Sequence, residues 1–118
     1  MTDFGRRHRL VAPRRFREVF GQRNLRGGRY FTLYQLPNDV GVHRLGLAVS
    51  RKVSRSAVGR NRIKRQVRES FRRYREGLAA DPESAGGIDF VVVARPLASG
   101  TENSELRRDL DRLWRLVN

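Results

Sequence analysis

The hydrophobic period changes several times along the chain, and each change marks an element. Behind Pro13, which suits a first helical position, Phe16, Val19 and Phe20 recur three and four residues apart and predict a short helix ending near Gly21. A turn around Gly27 and Gly28 leads into Tyr30 to Leu36, whose aromatic, alternating character predicts a strand. Pro37, Asn38, Asp39 and Gly41 make a further turn. Leu45, Leu47 and Val49 then alternate with Arg44, Gly46, Ala48 and Ser50 in a second strand, and the two strands are expected to pair as an antiparallel hairpin. From about Ala57 to Leu78 the period is helical, with Ile63, Val67, Phe71, Tyr74 and Leu78 forming one apolar stripe. A loop with Asp81, Pro82, Gly86 and Gly87 precedes Ile88, Phe90, Val91, Val92 and Val93, an apolar run suited to a buried strand that Pro96 stops. Thr101, Asn103 and Ser104 are cap-type residues before Glu105, and Leu106, Leu110, Leu113 and Val117 predict a last helix with Trp114 bordering its apolar face.

The order helix, two strands, helix, strand, helix, without internal repeat or low-complexity tract, predicts an α+β fold in which helices pack a small sheet. A chain of 118 residues suits one modest core, so residues 1–118 are read as a single domain.

Charge adds a partner to this picture. Lys and Arg number 26 against 12 Asp and Glu, a formal charge of +14, and a domain this basic repels itself unless it meets a polyanion, with nucleic acid the leading choice. Nearly all of the cations are arginine, whose planar fork pairs with phosphate bidentately and stacks on bases. Cysteine is absent, which removes disulfides and thiolate metal sites. No apolar run follows the charged start at Met1 to Arg9, with its basic Arg6, Arg7, His8 and Arg9, and no segment approaches membrane-spanning length. The expectation is a cytoplasmic protein with neither a membrane nor a small-molecule substrate as partner.

At ~100° per residue the long helix sets Lys64, Arg65, Arg68, Arg72 and Arg75 side by side next to its apolar stripe, with Asn61 among them, while Gln66, Glu69 and Ser70 take the milder flank. Like charges three and four residues apart repel, so a one-sided cationic row implies a ligand that relieves it. Arg60, Asn61 and Arg62 stand at the helix start, where free N–H groups and the helix dipole add to the attraction for phosphate. Asn61 could bond a base edge or sugar, or cap the backbone locally. Upstream, Ser50, Arg51, Lys52, Val53, Ser54, Arg55 and Ser56 form a basic connection able to grip phosphates without reading sequence.

Phe16 and Phe20 lie one helical turn apart, and Tyr30, Thr32 and Tyr34 share one strand face. Rings beside cations hold unpaired bases by stacking; the alternative is that the two phenylalanines only fill the core. Candidate catalytic groups are lacking: the carboxylates are scattered, Asp109 and Asp111 diverge on a helix, and His8 and His43 have no evident acid–base partner. Neither a phosphate-binding loop nor a dinucleotide pattern is present. No catalytic side chain, no metal site and no bound cofactor are expected.

Gly46 to Ser50, Arg51 and Lys52, then Ala57, Val58, Gly59, Arg60, Asn61, Arg62, Ile63, Lys64 and Arg65, followed by Arg68, Glu69 and Phe71, resemble the signature of the bacterial ribonuclease P protein component. The likeness extends upstream through Arg9, Leu10, Phe16, Val19, Phe20, Phe31, Leu33 and Tyr34, and downstream to Ala94, Arg95 and Pro96. It implies a four-stranded sheet with a left-handed βαβ crossover, as in the second domain of a ribosomal protein, the fourth strand coming from the hairpin region or its neighbourhood. It implies a ribonuclease P RNA that uses Mg²⁺ to cut precursor tRNA, and a protein that contacts this RNA through Arg51, Lys52, Arg60, Asn61, Arg62, Lys64, Arg65 and Arg68. It also implies a cleft for the single-stranded 5′ leader at Phe16, Phe20, Thr32 and Tyr34, with Ala48 and Ser50 nearby. Two departures stand out: Arg15 where the family often has an acidic residue, and a scarcity of lysine. The rivals are a structural RNA-binding protein of ribosomal type, a duplex DNA module, for which the long helix lacks a helix-turn-helix partner, and a self-sufficient nuclease.

Overall fold

The computed structural model describes residues 8–78 and 87–117. The features expected at Arg6, Arg7, Asp81, Pro82 and Gly86, and the side chain of Leu78, lie outside the described residues. The elements are α1 (Pro13–Gly21), β1 (Leu25–Gly27), β2 (Phe31–Pro37), β3 (Arg44–Ala48), α2 (Ala57–Leu78), β4 (Ile88–Ala94) and α3 (Asn103–Arg115), with a 3-10 turn at Pro96–Ala98. Proline at the start of α1 fixes the backbone where no N–H is needed, so the helix begins without a side-chain cap. At α2 the cap is Ser56, whose Oγ accepts the Gly59 N–H at 2.8 Å.

The four strands form one mixed sheet in the order β1-β2-β4-β3. β4 is the most apolar strand, its segment Phe90–Val92 is buried on both faces, and a strand buried this way satisfies its backbone best with a neighbour on each edge. It therefore inserts between β2, antiparallel to it, and β3, parallel to it. This corrects the expected hairpin: β2 and β3 do run in opposite directions, but β4 separates them. The fourth strand is β1, three residues whose Leu25, Arg26 and Gly27 pair with Tyr34, Leu33 and Thr32; it was too short for periodicity to reveal.

The sheet has one closed face and one partly open face. On the first, Phe31, Leu33, Leu45, Phe90 and Val92 pack against Ile63, Val67 and Phe71 of α2 and Leu106, Leu110, Leu113 and Trp114 of α3. Ser70, expected on the solvent flank of α2, is instead buried, because Trp114 Nε1–H donates to its Oγ at 2.7 Å. A buried indole N–H needs such an acceptor. The cap role expected for Thr101, Asn103 and Ser104 is not used either. The cap position falls to Glu102, which makes no side-chain capping bond, and Thr101 Oγ1 donates to the Leu97 carbonyl. On the second face α1 lays Phe16 and Val19 over Val91, Tyr34, Leu36 and Val93, with Leu10 beside them. Leu10 arrives there because its N–H donates to the Leu45 carbonyl along the outer edge of β3.

Two buried carboxylates fasten these layers. Asp89, fully buried at the start of β4, accepts Arg15 Nε at 2.6 Å, Arg44 Nε and Nη2 at 2.7 Å each, and Asn38 Nδ2 at 2.8 Å. Asp109, on the apolar face of α3, accepts the backbone N–H groups of Arg29, Tyr30 and Phe31 at 3.0, 2.9 and 3.2 Å, which fixes the turn between β1 and β2. Burial alone would raise the Asp89 carboxyl, but the hydrogen bonds from Arg44, Arg15 and Asn38 outweigh it and hold the group below its ordinary range.

Asp89→Asn should cost about 3 kcal/mol of stability at pH 7, measured by chemical denaturation, because it leaves two guanidinium groups facing a neutral partner. The depressed carboxyl contributes fully above its unfolded value near ~3.9, and its contribution disappears as pH falls through the folded value. The gap between wild type and variant should therefore close on acidification below about pH 4; a gap independent of pH would contradict the clamp.

Candidate nucleic-acid interface

Three surfaces meet around β3 and the first half of α2. The first is the connection between them. Arg51, Lys52 and Arg55 are exposed, and with Ala57 and Arg60 they line a hollow of about 550 Å³ that has no carboxylate in its wall. Arg60 shapes this loop from below, its Nη1 donating to the carbonyls of Ser54 and Arg55 at 3.0 Å each. Gly59 lets the loop approach, since a Cβ there would strike Ser54 Oγ. Arg60 thus both carries charge and holds the neighbouring cations in place.

The second surface is the cationic flank of α2, and it is shorter than the helical wheel predicts. Arg72 is tied to Glu69 at 2.8 Å and to Glu76 at 2.9 Å, and Arg75 donates to His8 Nε2 at 3.3 Å. Asn61, Lys64, Arg65 and Arg68 remain together on one flank, with Asn61, Arg65 and Arg68 exposed. Local capping of α2 goes to Ser56, which leaves the Asn61 side chain on the solvent side. Arg62 projects the other way, and its Nη1 donates to the Thr101 carbonyl at 3.0 Å and to Asn103 Oδ1 at 2.6 Å. It joins α2 to the start of α3 rather than standing in the row. Lys64 and Arg68 line a cavity of about 280 Å³ with Arg9, whose apolar wall includes Leu10, Val11 and Phe16.

The third surface is the open part of the sheet beside α1. Cross-strand register places Tyr34, Val91 and Gly46 in one row and Thr32, Val93 and Ala48 in the next. α1 covers the first row. The Phe16 ring rests on Gly46, where any Cβ would collide with it, and Phe20 meets Tyr34 edge-on with centroids 4.8 Å apart. Phe16 and Phe20 are 6.4 Å apart, the former half-buried and the latter 37% exposed. Thr32, Val93 and Ala48 are only half-buried, so the second row forms a groove floor walled by the α1 rings. Ser50 is exposed two residues past the end of β3, where the groove runs into the Arg51 and Lys52 loop. Phe16, Phe20, Thr32, Tyr34 and Ala48 thus share one face, with Ser50 just past the end of β3, and the two phenylalanines both pack on other residues and keep part of their surface open to solvent.

Arg15, the departure from the family pattern, adds little free charge to the groove because Asp89 and Glu18 hold it. The sequence reading missed Arg15, Arg44 and Asp89 as a unit, although an aspartate inside an apolar strand is itself a signal that cations must meet it. The histidines serve as connectors. His8 Nδ1–H donates to the His43 carbonyl at 2.9 Å, and His43 Nδ1 accepts the Ile88 N–H at 3.0 Å. Burial and the neighbouring His8 hold the His43 ring below the usual histidine range, which keeps it neutral and able to accept. Among the described residues, no group of three or more acidic or histidine side chains is placed to hold a metal ion, and no helix is long and apolar enough to cross a membrane.

Comparison with known proteins agrees in sequence and in shape. The profile of the ribonuclease P family matches residues 4–118. The ribonuclease P protein component of Thioalkalivibrio sulfidiphilus is 42% identical over 111 residues, covering 94% of this chain and 87% of that protein. The corresponding component of Photobacterium profundum is 43% identical over 111 residues, covering 94% and 88%. The solved RNase P protein of Thermotoga maritima, in complex with 1-(4-fluorophenyl)-2-thiourea, superposes with a TM-score of 0.78 at 30% identity, over 93% of this chain and all of that one.

The bonds of Arg62 separate fold from surface charge. Arg62→Ala should lower stability by about 1–2 kcal/mol in thermal or chemical unfolding, as two hydrogen bonds from a charged group between α2 and α3 are lost. Arg65→Ala, which removes an exposed side chain, should stay within about 0.5 kcal/mol; equal destabilisation by both would refute the assignment of Arg62 as a connector.

Proposed function

The chain belongs to the ribonuclease P protein family, the protein subunits of an RNA-containing endoribonuclease, and we propose that its two kinds of surface divide the work within that particle. The loop and helix flank formed by Arg51, Lys52, Arg60, Asn61, Lys64, Arg65 and Arg68 bind the catalytic RNA, with Arg62 holding the flank against α3. The groove of Phe16, Phe20, Thr32, Tyr34, Ala48 and Ser50 receives the single-stranded 5′ leader of precursor tRNA. The observation that carries this reading is the exposed Phe20 ring set edge-on to Tyr34 beside the half-buried Thr32 and Ala48, on a strand that leads into a loop hollow whose charged lining is entirely cationic.

The chemistry follows from elementary roles. Cationic side chains neutralise phosphates and release counterions, so binding to the RNA subunit is strong and falls with salt. Leader bases have exposed π faces, and stacking against Phe20 and Tyr34 holds them without demanding a sequence. A leader threaded from the groove toward Ser50 keeps its phosphates beside Arg51 and Lys52. The scissile bond thereby stays near the RNA while repulsion between two polyanions is screened. The RNA subunit, not this protein, would hold the magnesium ions, which would supply an activated water for hydrolysis and leave a 5′-phosphate on the tRNA. The protein's own residues bind, orient and screen. We assign this activity to residues 1–118 acting as a single domain in the cytoplasm.

Tyr34→Ala should weaken binding of precursor tRNA that carries a leader by about tenfold, the loss of one stacked base, and leave tRNA without a leader unaffected. Arg65→Ala should weaken assembly with the RNA subunit and reduce the slope of log affinity against log salt by about 0.8, with little preference for leader-bearing substrate. Binding titrations with both substrates and several salt concentrations read both quantities, and matching losses in the two variants would sink the division.

A further inference from the structure

A separate cationic hollow of about 370 Å³ lies on the α3 side of the domain, and it shares no lining residue with the loop hollow or the cavity beside α2. Arg108, Arg112 and Arg115 project from α3 at positions i, i+4 and i+7, and Arg29 faces them from the turn between β1 and β2. All four are exposed. The carboxylates in the wall are already engaged. Asp109 accepts three backbone N–H groups and Arg112 Nη2, and Glu105 Oε1 accepts the Tyr30 hydroxyl at 3.1 Å. Among the described residues no carboxylate stands within ion-pair distance of Arg29, Arg108 or Arg115.

The site is built and rigid. Gly28 permits the turn to close on Asp109, because a Cβ there would stand 2.6 Å from the carboxylate, so the backbone that carries Arg29 is fixed before any ligand arrives. Asp111 lies three residues from Arg108 and four from Arg115 yet stands in ion-pair distance of neither, so both guanidinium groups remain available to an external anion. From Arg108 to Arg115 the helix advances ~10 Å, enough to meet more than one phosphate of a strand, and guanidinium forks suit phosphate oxygens. The hollow borders the β1 end of the sheet, whereas the cationic flank of α2 lies over β3 at the opposite edge.

We infer that this α3 hollow binds the sugar–phosphate backbone of a second RNA segment, so that the protein bridges two strands from opposite edges of its sheet. The inference rests on the RNA partner implied by the family and not on how the loop and groove divide their ligands. The chain contains no cysteine, so single cysteines can carry a tethered iron–EDTA probe in the full ribonucleoprotein. Probes at Arg108→Cys and Arg65→Cys should each cut the RNA, in two different segments. Cutting from position 65 with none from position 108 would overturn the α3 site alone. Failure of both would overturn the RNA reading altogether, and overlapping cuts would overturn the bridge. As a second measurement, the double variant Arg108→Ala, Arg115→Ala should keep its melting temperature and lower the slope of log affinity against log salt by about 1.5, the loss of two phosphate contacts. An unchanged slope would assign the hollow to something other than RNA and refute the inference.

Discussion

The buried carboxylate of Asp89 is the interaction on which the rest of the architecture depends. It sits at the first turn-adjacent position of the central strand and gathers Arg15 from α1, Arg44 from β3 and Asn38 from the β2–β3 connection. A lone buried charge would be costly, and each of these donors would otherwise face solvent or a neighbour of like sign. Their meeting fixes the angle at which α1 crosses the sheet, and hence how far Phe16 reaches over Gly46 and where Phe20 meets Tyr34. Arg15 directly precedes Phe16 in α1, so the ion cluster and the ring that rests on Gly46 are held by neighbouring residues, with Phe20 one turn further on.

Elsewhere the cations fall into two groups: some are engaged by acidic or polar partners within the protein, at exposed positions such as Arg14 and Arg112 as well as between elements, and others crowd together without them. Arg15, Arg44, Arg62 and Arg72 are engaged with Asp89, Asn103 or glutamates of their own helix. Arg51, Lys52 and Arg55 crowd into a wall without a carboxylate. A formal charge of +14 is thus distributed unevenly, and part of what lacks acidic partners lies in the loop before α2 and on the adjoining flank of that helix. Self-repulsion of that kind weakens the free protein and is relieved on binding, so stability and RNA affinity are thermodynamically linked.

Much of this was legible in the sequence. Helical period located α1, α2 and α3 closely, because each buries a continuous stripe such as Ile63, Val67 and Phe71. Strand period located β2, β3 and β4 for the same reason. Pairing was not legible, since alternation fixes which face of a strand is buried but not which neighbour it adopts; the expected hairpin failed when the more apolar β4 took the centre. β1 escaped because three residues carry no period. Strand register sets Thr32, Tyr34 and Ala48 on the face that α1 adjoins, but a helical wheel treats every cation alike and could not tell that Arg72 is neutralised three and four residues away or that Arg62 turns toward α3. Ser70 misled for a related reason: its small polar side chain reads as solvent-facing until the indole of Trp114 supplies a buried partner.

The position of β4 in the sheet has a further consequence for the order in which the molecule can be made. β1, β2, β3 and α2 all precede it in the chain, yet β2 and β3 are not joined into one sheet until β4 lies between them. A nascent chain leaving the ribosome therefore carries most of its arginines in the open before its sheet can close, and long-range pairing of this kind is slow compared with helix formation. During that interval the growing polycation passes through a cell crowded with ribosomal and messenger RNA, so synthesis, chain collapse and capture by the correct nucleic acid compete on the same clock.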